Sequence, residues 1–193
     1  MATLEEKRVE KTEQILEASL KLFTENGFHA TPISLIADTA GVGAGTIYRY
    51  FKNKEDLINE LYEMSKKRMA DFIFRGVDKK PATKEKFKTL WVNMFEFILN
   101  QPREFLFLEQ FANTPLINSE TREAVDKFFL PVKTLVMEAW ENNEIVQIQG
   151  EFVWAFLSGP VISLSKMNRS GKIELTEKSI SESFEVFWKG LEA

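Results

Sequence analysis

The 193-residue chain contains no cysteine and a single histidine. Disulfides and thiolate nucleophiles are therefore excluded, a reducing compartment is expected, and one imidazole leaves little scope for a zinc site. Glycine and proline are few, 9 and 6, which excludes collagen-like and low-complexity classes and suits a helical protein. No long apolar run is present. The longest uncharged stretch, FVWAFLSGPVISLS from Phe152 to Ser165, is too short to span a bilayer and is interrupted by Gly159-Pro160. The N-terminal MATLEEKRVEKTEQ is charged and lacks the apolar centre of a signal peptide. These absences predict a cytoplasmic protein with no membrane role. A nucleophile elbow, a phosphate-cradling glycine loop, a metal cluster and a catalytic Cys/His pair are all missing, so the reading is non-enzymatic and without cofactor.

The net charge of -4 argues, taken whole, against nucleic acid as a partner. Its distribution argues otherwise. From Thr39 to Lys54 the chain carries Arg49, Lys52 and Lys54 and no acid. A local basic face can meet phosphate within an acidic whole, because charges beyond about 8 Å are screened at physiological salt.

Apolar spacing is helical almost throughout, predicting an all-α protein of about nine helices. A first helix is expected from about Leu4 to Asn26, stopped by Gly27. Thr31-Pro32 reads as a hydroxyl cap followed by proline at the first helical position. Ile33, Ile36, Ala37 and Ala40 then recur at helical spacing, and Gly41 can take the left-handed conformation of a tight turn. A third short helix follows, from about Ala44 to Phe51. Asn53 and Asp56 have the spacing of a capping box that starts a fourth helix, expected to run to about Gly76. Phe87, Leu90, Trp91, Met94, Phe95 and Ile98 form the stripe of the next helix. Asn118 or Ser119 is expected to cap a later one, which Pro131 would kink.

Two short helices joined by a glycine turn make a helix-turn-helix, whose second helix can enter the DNA major groove. Ala37, Gly41 and Ile47 suit close packing, the turn, and an aliphatic lock. The exposed face of the second helix would present Ala44, Thr46, Arg49 and Tyr50. Hydroxyls donate to phosphate oxygens, Arg49 can reach a phosphate or a guanine edge, and carboxylates, which would repel phosphate, are absent.

The series Gly27-Phe28-x-x-Thr31, Ile36-Ala37, Ala40-Gly41-Val42, Gly45-Thr46-Ile47-Tyr48-x-Tyr50-Phe51 and Lys54-Glu55-x-Leu57 strongly resembles the DNA-binding head of TetR-family transcriptional regulators. The resemblance covers residues 10 to 60. It implies that Thr31, Tyr48, Tyr50 and Lys54 touch phosphates, Lys54 at a helix N-terminus where free amides also favour an anion. It further implies that Ala44, Gly45, Thr46 and Arg49 face base edges. Many relatives have lysine, arginine or proline where Ala44 stands; alanine there removes a possible phosphate or base contact and leaves a methyl that could pack on a thymine methyl. The division implied is 1–53 for the head, 54–76 for a connecting helix and 77–193 for effector binding and dimerisation.

Seventeen phenylalanines and four tryptophans exceed the need of a helical core of this size. The resemblance would wrap Trp91, Phe95, Phe105, Phe111, Phe128, Trp140 and Phe156 around a cavity for an apolar or aromatic effector. The default for such stripes is core. Phe152–Met167, apolar nearly all round, is expected to pair with Thr176–Leu191 and their copies in a homodimeric four-helix bundle. The expected function is a ligand-responsive repressor on a pseudo-palindromic operator. The rivals are a carrier or enzyme for a hydrophobic small molecule, and an activator with the same head.

Overall fold

A computed structural model describes residues 3–193; Met1 and Ala2, at the start of the expected head, lie outside the described residues. The fold is all-α. Its helices are α1 (Leu4–Asn26), α2 (Ile33–Ala40), α3 (Ala44–Tyr50), α4 (Lys54–Ile73), α5 (Thr83–Asn100), α6 (Pro102–Phe111), α7 (Ser119–Asp126), α8 (Leu130–Glu141), α9 (Gly150–Arg169) and α10 (Glu177–Leu191). A single 3-10 turn, Lys127–Phe129, joins α7 to α8 without a loop. Counting that interrupted stretch once gives, among the described residues, the nine helices expected. Among the described residues there is no strand, only an isolated bridge between Ile145 and Glu192.

The local signals explain most boundaries. Thr3 and Glu6 form a reciprocal capping box at the start of α1. Gly27, at φ 78°, ends it. Pro131 does not kink a continuous helix: it falls in the first turn of α8, where its missing N–H is not needed. Asn118 caps α7 through Oδ1, which accepts from Thr121 N at 2.8 Å. α4 stops at Ile73, earlier than expected, and the chain turns through Gly76 at φ 74°.

The chain divides into two compact units. One comprises residues 1–66 and 103–125, the other 67–102 and 126–193. The first unit therefore gathers α1–α3 and the start of α4 with α6 and nearly all of α7. Its core is aromatic: Phe23 lies 5.5 Å from Phe28 and 6.4 Å from Phe111, while Phe107 lies 5.0 Å from Phe111 and 6.4 Å from Tyr62. The second unit is built on α5 against α9 and α10. Trp91 stacks on Phe187 at 5.0 Å and meets Phe95 and Phe184 edge-on. Asn93 of α5 donates to Ile73 O and Arg75 O, satisfying carbonyls at the end of α4.

Candidate nucleic-acid interface

The interface is set by how α3 is held. Ile36, Ala37 and Ile47 are buried, so α2 and α3 pack directly through small and aliphatic side chains. Gly41 sits at φ 65°, in the left-handed region a β-carbon disfavours, and Gly41 N and Val42 N both return to Ala37 O. At the far end Phe51 is buried, and its N–H donates to Ile47 O at 2.9 Å. With Ile47 and Phe51 inward, the opposite face of α3 must point out. Ala44, Gly45, Tyr48 and Arg49 are exposed, Tyr48 to 58%, and Thr46 and Tyr50 are half-buried. No acidic side chain lies on α3. Six of the eight expected DNA contacts thus come together on one short, carboxylate-free helix.

The other two stand apart from that expectation. Thr31 is fully buried, and its hydroxyl donates to Gly27 O at 2.8 Å and Leu22 O at 3.3 Å. Nor does it cap α2, which begins at Ile33 with Pro32, not Thr31, in the cap position and no side-chain cap. A buried hydroxyl must find an acceptor, and the loop after α1 supplies two. Lys54 is half-buried; its Nζ donates to Phe28 O and lies 4.3 Å from the Phe28 ring centroid. The capping box before α4 forms in altered shape: Asp56 N donates to Asn53 Oδ1, while Asp56 Oδ2 accepts from Lys52 N. Of the two amides, only that of Asp56 belongs to the first turn of α4, where free amides were expected to face an anion.

Two residues that hold this unit together went unread in the sequence. Buried Asn59 on α4 donates through Nδ2 to Leu116 O and Glu55 O, and its Oδ1 accepts from Asn118 N. Arg122 donates from each guanidinium nitrogen to a carbonyl of the same loop, at Ala112, Thr114 and Ile117. An amide among Leu57, Ile58, Leu61 and Tyr62, at a buried helical position, was the available clue.

The aromatic candidates divide differently from expectation. Phe105 and Phe111 are buried in the first unit, and Phe111 packs on Phe23 and Phe107. Trp91 and Phe95 are buried in the second unit, Phe128 and Trp140 are half-buried there, and the Trp140 indole N–H donates to Val146 O. Phe156 is 58% exposed. Of the seven, Trp91 and Phe156 line an open apolar hollow of about 480 Å³ between α5, α9 and α10, with Pro160, Leu164, Val186 and Phe187. None of its lining side chains is charged, and the Ser183 hydroxyl there is already donated to Ile180 O.

α9 has two faces. Val153, Leu157, Val161 and Ser165 are buried, while Phe152, Phe156, Gly159, Pro160, Ser163 and Met167 form an exposed stripe at helical spacing. Val186 of α10 is 75% exposed. Among the described residues, no helix is long and apolar enough to cross a membrane.

Residues 15–61 match the family described as bacterial regulatory proteins, tetR family, and residues 51–193 match the tetracyclin repressor-like C-terminal domain. The fatty acid metabolism regulator protein of Bacillus subtilis (strain 168) is 45% identical over 76 residues, 38% of either chain. The transcriptional regulator AcrR of Shigella flexneri is 30% identical over 111 residues, 56% of this chain and 52% of that protein. The chain thus spans about four-tenths to half of the length of these relatives. The same fold occurs in a TetR family transcription regulator from Marinobacter aquaeolei VT8, with TM-score 0.91 and 21% identity over 98% of this chain and 99% of that one. It also occurs in FadR of Bacillus subtilis in complex with stearoyl-CoA, with TM-score 0.73 and 23% identity over 92% and 98%. A head with this motif, and a family match that runs from there to the last residue, make the chain a member of the TetR family of transcriptional regulators.

Proposed function

We propose that this regulator is a homodimeric repressor that binds a pseudo-palindromic operator and is released by a small apolar or aromatic effector. The observation that carries the reading is the outward face of α3, where Ala44, Tyr48 and Arg49 stand exposed on a helix fixed from behind by Ile47 and Phe51. In this reading Arg49 reaches base edges or phosphate, Tyr48, Tyr50 and Thr46 meet phosphate and groove, and Ala44 and Gly45 allow close approach. Two heads would enter successive major grooves about 34–36 Å apart.

Dimerisation is supported by the exposed apolar stripe on α9 and by Val186, which water would otherwise cover. The hollow opens among these residues, so pairing would roof it and enclose an effector. Its uncharged wall suits an acyl chain or an aromatic ring and offers an anionic head group no partner. The fatty acid metabolism regulator and the stearoyl-CoA complex among the similar proteins make acyl compounds the first effectors to try. The test is selection of bound duplexes from a random library, followed by anisotropy titration. A two-half-site sequence should emerge, and Arg49→Ala should lose about 1–3 kcal/mol of preference at particular base pairs. Recovery of no preferred sequence would count against the repressor reading.

A further inference from the structure

We propose that Trp91 supplies the hydrogen-bond donor of the hollow between α5, α9 and α10, and so selects a neutral effector that carries a carbonyl oxygen on an apolar or aromatic body. The inference rests on the reading of the hollow as the effector site and names the chemistry that site would recognise.

The indole is a donor without an acceptor. Trp91 is fully buried, and its Nε1–H meets no hydrogen-bond partner. Its ring neighbours are Phe95, Phe184 and Phe187, which offer no acceptor oxygen from their side chains. Two other indoles behave differently: Trp140 Nε1 donates to Val146 O at 3.2 Å, and Trp188 Nε1 donates to Glu192 Oε1 at 2.9 Å. A buried donor left unpaired destabilises the fold, and phenylalanine would fill much of the same space without that cost. Among the described residues, Glu144 Oε2 and Ser165 Oγ of the same unit also lack a partner, but neither residue borders the hollow, and Trp91 does.

The hollow can bring an acceptor to this donor. Phe187, half-buried, stacks on Trp91 at 5.0 Å and lines the hollow as well, so a turn of this one ring would open the hollow to the indole. Gly190, in the last turn of α10, keeps another part of the wall clear. Its φ is not positive, and a β-carbon there would meet no atom within 4 Å, so neither backbone nor packing calls for glycine. Glycine weakens a helix relative to alanine, and what it leaves here is room for a molecule outside the chain. The rest of the wall is apolar apart from Ser183, whose hydroxyl is donated to Ile180 O. A hydrocarbon would leave the indole unpaired. A carboxylate would lose its hydration for a single neutral donor. A ketone, ester or thioester oxygen matches one N–H while its body fills the apolar space.

The test applies two probes of one shape to the whole protein: hexanophenone, and its hydrocarbon analogue with a methyl group in place of the carbonyl oxygen. Dissociation constants are measured for the unaltered protein, Trp91→Phe and Gly190→Leu. The indole N–H resonances are followed in isotope-labelled protein, with that of Trp91 assigned through its ring neighbours. The affinity ratio of ketone to hydrocarbon should fall about threefold to tenfold in Trp91→Phe, since the ratio cancels any loss of packing the two probes share. The Trp91 resonance should move downfield with the ketone and not with the hydrocarbon. Gly190→Leu should weaken both probes at least about tenfold by filling the hollow. An unchanged ratio in Trp91→Phe would overturn the proposal. So would a Trp91 resonance that moves alike with both probes, and that arm decides the matter if Trp91→Phe fails to fold. Failure of both probes to bind, or undiminished binding of both in Gly190→Leu, would instead sink the reading of the hollow as the effector site, and the proposal with it.

Discussion

Thr31 carries a hydroxyl that the sequence places beside a proline, where a helix cap is the natural reading. The structure turns it back onto Gly27 O and Leu22 O, in a site with no exposure. Nothing in the local pattern distinguishes the two uses, because both satisfy the same hydroxyl, and the choice depends on where α1 ends relative to α2. By contrast, Ile47 and Phe51 were legible as inward residues, since their spacing on a short helix leaves one face for the core. Thr31→Val keeps the shape and removes the donor, leaving the Gly27 carbonyl unsatisfied. It should cost about 1–3 kcal/mol in denaturant unfolding. An unchanged unfolding midpoint would show that the Gly27 carbonyl does not need this donor.

Helices α2 and α3 were readable nearly residue for residue, because apolar spacing, Gly41 and the absence of acids all act within a few positions of each other. The elements that the sequence left obscure are those joined over long separations. α6 and most of α7 belong to the same compact unit as the head, through ring contacts such as Phe23 with Phe111 and through the bonds of Asn59 to Leu116 and Asn118. No periodicity records a pairing of this range. Side chains lock the 112–118 loop into one shape: Arg122 holds three carbonyls and Asn59 ties the loop to α4. Asn59→Ala leaves Leu116 O and Asn118 N without these partners. The expected outcome is a loss of about 1–3 kcal/mol, seen as a lower denaturant midpoint with an unchanged m-value. An unchanged midpoint would show that the loop finds its shape without Asn59.

For the molecule as a whole, the apolar surplus finds two uses. Most rings pack on one another, Trp91 with Phe95, Phe184 and Phe187 in one unit and Phe23 with Phe28 and Phe111 in the other. Others, among them Phe152, Phe156 and Val186, face outward, and pairing with a second copy would bury these three. The composition showed the surplus but could not divide it, since core and interface stripes share the 3.6-residue period. Val186→Glu adds a charge at a site already 75% exposed, so the fold should survive. Sedimentation should then show a monomer, or a dimer weakened at least about tenfold, and operator affinity should fall with it. A dimer of unchanged strength would move the interface elsewhere.

The acidic balance of the chain and the carboxylate-free face of α3 make opposite demands on a polyanion, and screening by salt lets the local face prevail. The most direct test is the salt dependence of specific DNA binding, measured by anisotropy on a duplex recovered by selection. Neutralisation of five to nine phosphates predicts a log–log slope of roughly -4 to -8. A slope near zero, or no binding at low salt, would contradict it.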